Sequence, residues 1–184
     1  FQGFMRGETP MKTDVIWNGI IVPASQKDES EYQIAPSRVA YVDNAFMAGY
    51  EEKANRLITP VTVREPGGNV ESILINKAIW DTGAVVSCIS DEIAKRENMR
   101  PVDSGVLATL TGQKEIVYYF LDIWLSKDIL IPNVKVAGIS MAGRDSDFVI
   151  GMDIISRGNL VVKNDNGKTE LRFELVGRDK AGIL

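Results

Sequence analysis

From residue 57 onward the chain is a succession of short Val- and Ile-rich runs, each closed by turn-forming residues. That pattern builds sheet, because β-branched side chains suit the pleated strand and the turns interrupt before a helix can propagate. Ile58 to Val63 alternates and ends at Arg64-Glu65-Pro66-Gly67-Gly68. Asn69 to Trp80 is a second run, interrupted by Asp81-Thr82-Gly83 and resumed from Val85 to Ile89. Ser90 is placed to cap a short helix over 91–97, whose first turn is acidic. Gly105 to Leu110 and Glu115 to Leu125 flank Thr111-Gly112-Gln113 and read as a hairpin. Ile129 to Ile139 is a further strand with a break near Pro132-Asn133, and Phe148 to Ile150 is a short apolar run. Met152 to Ser156 reads as one helical turn that stops at Gly158. Asn159 to Val162 and Thr169 to Val176 enclose the turn Asn164-Asp165-Asn166-Gly167. The expected fold class is all-β, a closed barrel with one or two short helices.

The N-terminal third is less regular. Val15-Ile16-Trp17 and Ile20-Ile21-Val22 are separated by Asn18-Gly19, a hairpin signal. Ser25 to Gln33 reads as a loop, and Ala45 to Arg56 as a short helix with Glu51, Glu52 and Lys53 on its wet side. The expected organisation is a tag remnant over 1–4, an N-terminal extension over 5–56, a folded domain over 57–176 and a tail over 177–184.

Composition narrows the chemistry. The 184 residues include no histidine, so Ser-His-Asp and Cys-His catalysis within the chain are excluded, as is a His-ligated metal. Cys88 is the single cysteine, so no intrachain disulfide can form. A net charge of -4 without a basic cluster argues against nucleic acid. No apolar run reaches the roughly 18 residues a membrane span needs, and no signal-peptide pattern is seen. The expectations are therefore no cofactor, no metal, no nucleic-acid or membrane partner, and a cytoplasmic location.

Within Ala78-Ile79-Trp80-Asp81-Thr82-Gly83-Ala84 an acid follows an apolar strand directly and precedes Thr-Gly. Asp-Thr-Gly is also an ordinary turn tripeptide, expected by chance in about 3–5% of chains this size. Turns, however, usually sit between polar flanks, whereas this one lies between Ile79-Trp80 and Ala84-Val85-Val86. The apolar frame predicts a loop that dips inward with a partly desolvated carboxylate, the kind of group suited to acid–base work. Gly83 permits a tight turn, the Thr82 hydroxyl can lock the loop, and Ala84 leaves space above the acid.

Other residues point elsewhere. Cys88 reads as a small core residue without a base partner. Ser87 or Ser90 with Lys95 matches no known Ser-Lys spacing. Tyr118, Tyr119 and Phe120 read as core and sheet residues. Asp145, Asp147 and Asp153 offer three carboxylates to a cation, with Arg144 opposing, and a solvated loop is the expectation.

Asp81-Thr82-Gly83-Ala84 between apolar strands resembles the active-site loop of retropepsin-like aspartic proteases. Two further elements follow in the family's order: a hairpin containing Leu110-Thr111-Gly112, and Phe148-Val149-Ile150-Gly151-Met152-Asp153-Ile154-Ile155. The resemblance covers about Ile58 to Val176. With Ser156-Arg157-Gly158-Asn159-Leu160 downstream, it points to the short bacterial, phage and Gag-like members. It implies an acid-protease half-lobe with Asp81 as the catalytic aspartate. It also implies an active-site loop of Thr82, Gly83 and Ala84, with Thr82 interlocking across a dimer axis, and a flap tip over Thr109, Leu110, Thr111, Gly112 and Gln113. Gly151 and Asp153 would support the loop from behind. Met152 stands where the retroviral pattern often has Arg, and Val85-Val86 replace that arginine's acidic partner. One Asp-Thr-Gly in a chain too short for a second lobe implies a homodimer whose two Asp81 side chains share a proton over an activated water. The expected partner is an extended peptide or protein substrate, and the expected optimum is mildly acidic. The competing reading is a catalytically silent protease-like fold that dimerises or binds peptides.

Overall fold

The computed structural model describes residues 15–17, 20–22, 38–42, 45–67, 71–109 and 112–176, with side chains from residue 45 onward apart from 107–109 and 114. The elements run β1 (Val15–Trp17), β2 (Ile20–Val22), β3 (Arg38–Val42), β4 (Ala45–Tyr50), β5 (Ile58–Arg64), β6 (Ile73–Trp80), β7 (Cys88–Ser90) and α1 (Asp91–Arg96). They continue with β8 (Asp103–Thr109), β9 (Gly112–Ser126), β10 (Ile129–Ile139), β11 (Phe148–Ile150), α2 (Met152–Ile155), β12 (Gly158–Asp165) and β13 (Lys168–Leu175).

Six strands close a barrel in the order β10-β7-β11-β6-β5-β9, and β9 returns to pair with β10. β8 pairs with β9 and extends that sheet beyond the closed part. Closure leaves the barrel strands without free edges. Val61, Val63, Leu121, Ile123, Ile131 and Ile150, none more than 1% exposed, fill the interior. The break expected near Pro132-Asn133 is a register shift against β9 between Ile131 and Val134. Proline cannot donate to the ladder there, Asn133 takes a positive φ of 53°, and its N–H donates to Asp122 Oδ1 at 3.0 Å.

A second sheet, ordered β12-β13-β4-β3, packs against the barrel. Asn166 and Gly167, with φ of 50° and 75°, turn β12 into β13, the geometry that favours Asn-Gly in two-residue hairpins. β1 and β2 form the expected hairpin, with Trp17 opposite Ile20. The loop expected over 25–33 lies outside the described residues.

One expectation is corrected. The helix expected over 45–56 does not form: residues 45–50 are β4, antiparallel to both β13 and β3, and residues 51–56 belong to no helix or strand. Phe46, Ala48 and Tyr50 recur with period two and are buried, whereas a helix would scatter them around its axis. Gly49, poor inside a helix, is tolerated in the strand. The Tyr50 hydroxyl donates to Ile58 O at 2.9 Å, and burial raises its pKa well above the usual phenol value. Ser90 also differs in detail. It stands at the N-cap of α1 but makes no side-chain capping hydrogen bond, so Asp91 and Glu92 in the first turn are what favours the helix N-terminus. No helix among the described residues is long and apolar enough to cross a membrane.

Candidate active site

β6 ends at Trp80 and β7 begins at Cys88, so residues 81–87 form the loop between them. β11 lies between these two strands, parallel to β6 and antiparallel to β7. The Asp81 N–H donates to Ile150 O at 3.0 Å, which carries the β6–β11 pairing one residue beyond the strand. Trp80 points inward, 6% exposed, and its Nε1–H donates to the buried Thr59 Oγ1 at 2.9 Å. Its ring stacks on Phe46, with centroids 6.2 Å apart, and meets Phe173 at 5.1 Å. Strand alternation then sends the next side chain the other way.

Asp81, Thr82 and Gly83 are accordingly exposed. The expectation of a carboxylate partly desolvated within its own chain is therefore corrected. The apolar flanks are satisfied by Trp80 turning into the core, while the acid faces out from an anchored backbone. Asp81 Oδ1 accepts the Gly83 N–H at 2.8 Å, and Asp81 O accepts the Ala84 N–H at 3.2 Å, so the turn closes on itself. The same loop exposes an apolar side chain, Val85, at 78%, and Met152, whose N–H meets Ala84 O, is 36% exposed.

The second half of the loop rests on α2. Ala84 O accepts from Met152 N at 2.8 Å and Val85 O from Asp153 N at 3.2 Å. The Asp153 carboxylate turns back to the loop. It accepts the Ser87 N–H on both oxygens at 3.0 Å and the Ser87 hydroxyl on Oδ1 at 2.7 Å. Oδ1 also accepts the Ile154 N–H at 3.0 Å. Ser87 Oγ in turn accepts the Gly151 N–H at 3.0 Å. Gly151 is demanded by space: its φ of -92° suits any residue, but a Cβ would lie 2.8 Å from Val86 C, 2.9 Å from Ser87 N and 3.0 Å from Ala84 O. All three are backbone atoms, so the loop itself would have to move. Gly151→Ala is expected to cost roughly 1–3 kcal/mol and to lower activity by displacing residues 84–87. A thermal melt within about 1 °C of wild type would show that the loop yields freely.

Thr109 ends β8 opposite Gly112, which begins β9 with φ of 123°, and both Gly112 and Gln113 are exposed. Leu110 and Thr111 lie outside the described residues. The three carboxylates weighed as a cation site do not converge among the described residues. Asp145 pairs with Arg56 at 3.0 Å, and Asp153 is turned to Ser87.

Cys88 is buried in a small apolar cluster with Ile116, Ala137, Met141 and Val149, against which Ala84 and Val86 pack. Burial, reinforced by the negative charge of Asp153 and Asp81 and opposed by Arg144, pushes its thiol from 9.0 up to about 11. The unfolded thiol ionises near 9.0 and the folded one near 11, so this contribution to stability is whole below pH 9 and is lost as pH rises to 11. The melting temperature of Cys88→Ala is expected to fall less steeply than wild type across that interval, and parallel curves would overturn the assignment.

Ser87 and Trp80 are the site residues whose parts were not evident in sequence. The available signal for Ser87 was a lone hydroxyl between Val86 and Cys88 in an apolar run, and for Trp80 a large ring directly before the acid.

The chain resembles retropepsin-like aspartic proteases in structure. The crystal structure of a retropepsin-like aspartic protease from Rickettsia conorii is similar at a TM-score of 0.45 and 15% identity, over 74% of this chain and 98% of that one. The retroviral protease-like domain of Ddi1 from Leishmania major gives 0.39 and 19%, over 68% of this chain and 98% of its own. The solution structure of Simian Foamy Virus (mac) protease gives 0.35 and 19%, over 53% and 92%. No protein-family model matches the sequence, and no curated protein matches it either.

Proposed function

We propose that the chain is an aspartic endopeptidase that acts as a two-fold homodimer, each protomer contributing Asp81. The observation that carries this reading is the contrast within one residue. The backbone of Asp81 is tied into the barrel through Ile150 O, while its carboxylate is exposed on a loop that also exposes Val85. A carboxylate held stiffly on a loop that also bares an apolar side chain is suited to meet its twin across a two-fold axis. Two such groups in contact cannot both ionise and share one proton. One then takes a proton from a water molecule as that water attacks the peptide carbonyl, and the other, protonated, hydrogen-bonds the carbonyl oxygen. The pair titrates as a unit.

The activity is assigned to residues 57–176 together with β4, whose Phe46 backs Trp80. In this reading Thr82 locks the two loops across the axis, Gly83 and Ala84 border the substrate, and the hairpin tip over 109–113 covers an extended peptide bound by strand addition. The test joins two measurements: sedimentation over a range of concentrations, and cleavage of an unfolded protein by wild type and by Asp81→Asn at several pH values. A chain that cleaves while remaining monomeric at every concentration would sink the shared dyad.

A further inference from the structure

The Ile150–Gly151 peptide group is held from both sides. Its carbonyl oxygen accepts the Asp81 N–H at 3.0 Å, and its N–H donates to Ser87 Oγ at 3.0 Å. Because a peptide unit is planar and rigid, fixing the N–H fixes the carbonyl that anchors the aspartate. Ser87 Oγ does this while donating its own proton to Asp153 Oδ1 at 2.7 Å. The result is one continuous chain of hydrogen bonds: Asp153 carboxylate, Ser87 hydroxyl, Ile150–Gly151 peptide, Asp81 backbone. Ser87 is 0% exposed, so water cannot readily take the place of its hydroxyl. A charged acceptor at one end strengthens the bonds along such a chain.

We infer that Ser87 is a positioning residue that sets the place of Asp81 through the Ile150–Gly151 peptide, an inference that rests on the proposed role of Asp81. The hydroxyl is needed because it donates and accepts at once, which alanine cannot do and threonine can. Losing it leaves the Gly151 N–H without its partner and lets the peptide tilt. In a site that needs two carboxylates within hydrogen-bond reach, a displacement near an ångström costs on the order of a hundredfold in rate.

The test uses a fluorescein-labelled unfolded casein and compares wild type, Ser87→Ala, Ser87→Thr, Asp153→Asn and Asp81→Asn. Activity is expressed per folded molecule, with the folded fraction taken from each variant's melting curve. Ser87→Ala is expected to lower kcat about ten- to a hundredfold while KM stays within about threefold, and Ser87→Thr to recover most of that loss. Asp153→Asn keeps an acceptor oxygen but loses the charge. It is expected to lower kcat by a smaller factor, and it carries the test should Ser87→Ala not fold. A lowered melting temperature with wild-type kcat in both Ser87→Ala and Asp153→Asn, beside an inactive Asp81→Asn, overturns the positioning role alone. Wild-type cleavage by Asp81→Asn overturns the catalytic reading and the inference with it.

Discussion

Asp81→Asn is expected to reduce cleavage of an unfolded protein by at least about a thousandfold and to leave the melting temperature almost unchanged. The two halves of this expectation follow from different features of the same residue. The carboxylate is exposed, and among the described residues it accepts the Gly83 N–H at 2.8 Å, which an asparagine oxygen can also accept. The fold therefore loses little. Chemistry loses nearly everything, because an amide can neither take a proton from water nor share one with a partner carboxylate. The asymmetry separates a catalytic acid from a structural one, since a structural aspartate would lose stability in proportion to activity. Equal cleavage by the variant and wild type would remove Asp81 from the mechanism.

Trp80→Ala is expected to have the largest effect on stability, roughly 3–5 kcal/mol from the lost ring. The substitution also strips the buried Thr59 Oγ1 of its indole donor, for about 1 kcal/mol more. Against a total stability of about 5–15 kcal/mol, this places the variant near the edge of folding. In a chain of this length the melting temperature should fall by roughly 8–24 °C. Trp80→Phe keeps an aromatic ring between Phe46 and Phe173 and should lose far less, which separates packing from the hydrogen bond. Because Asp81 is the next residue, activity should fall in Trp80→Ala even at temperatures where it remains folded. A variant melting within about 2 °C of wild type would show that the ring is not what joins the barrel to the second sheet.

The strands were legible because their signals are local. Alternating Val and Ile, the Asn-Gly turn at 166–167 and the break at Pro132-Asn133 each act within a few residues. The structure places strands or turns where those signals stand. The segment 45–50 was misread for the opposite reason. Its composition permits either a helix or a strand, and the choice is made by β13, whose residues 169–174 supply its partners from the far end of the chain. The hairpin around residue 111 begins β9 slightly earlier than the sequence signals indicated, at Gly112, because turn boundaries depend on cross-strand register.

The candidate site divides in the same way. Sequence alone determined that the chain is β-rich, that histidine-based catalysis and an intrachain disulfide are excluded within it, and that an acid stands between apolar runs next to Thr-Gly. These are properties of composition and near neighbours, which hold whatever the fold. Only the tertiary structure decided that β11 enters between β6 and β7, that the Asp81 side chain faces outward while Trp80 turns in, and that Ser87 meets Asp153, 66 positions away. The physical reason is that a hydroxyl or a carboxylate has several possible partners. The backbone path that brings one of them within 3 Å is set by strand pairing between distant segments, not by the identity of the residues beside it.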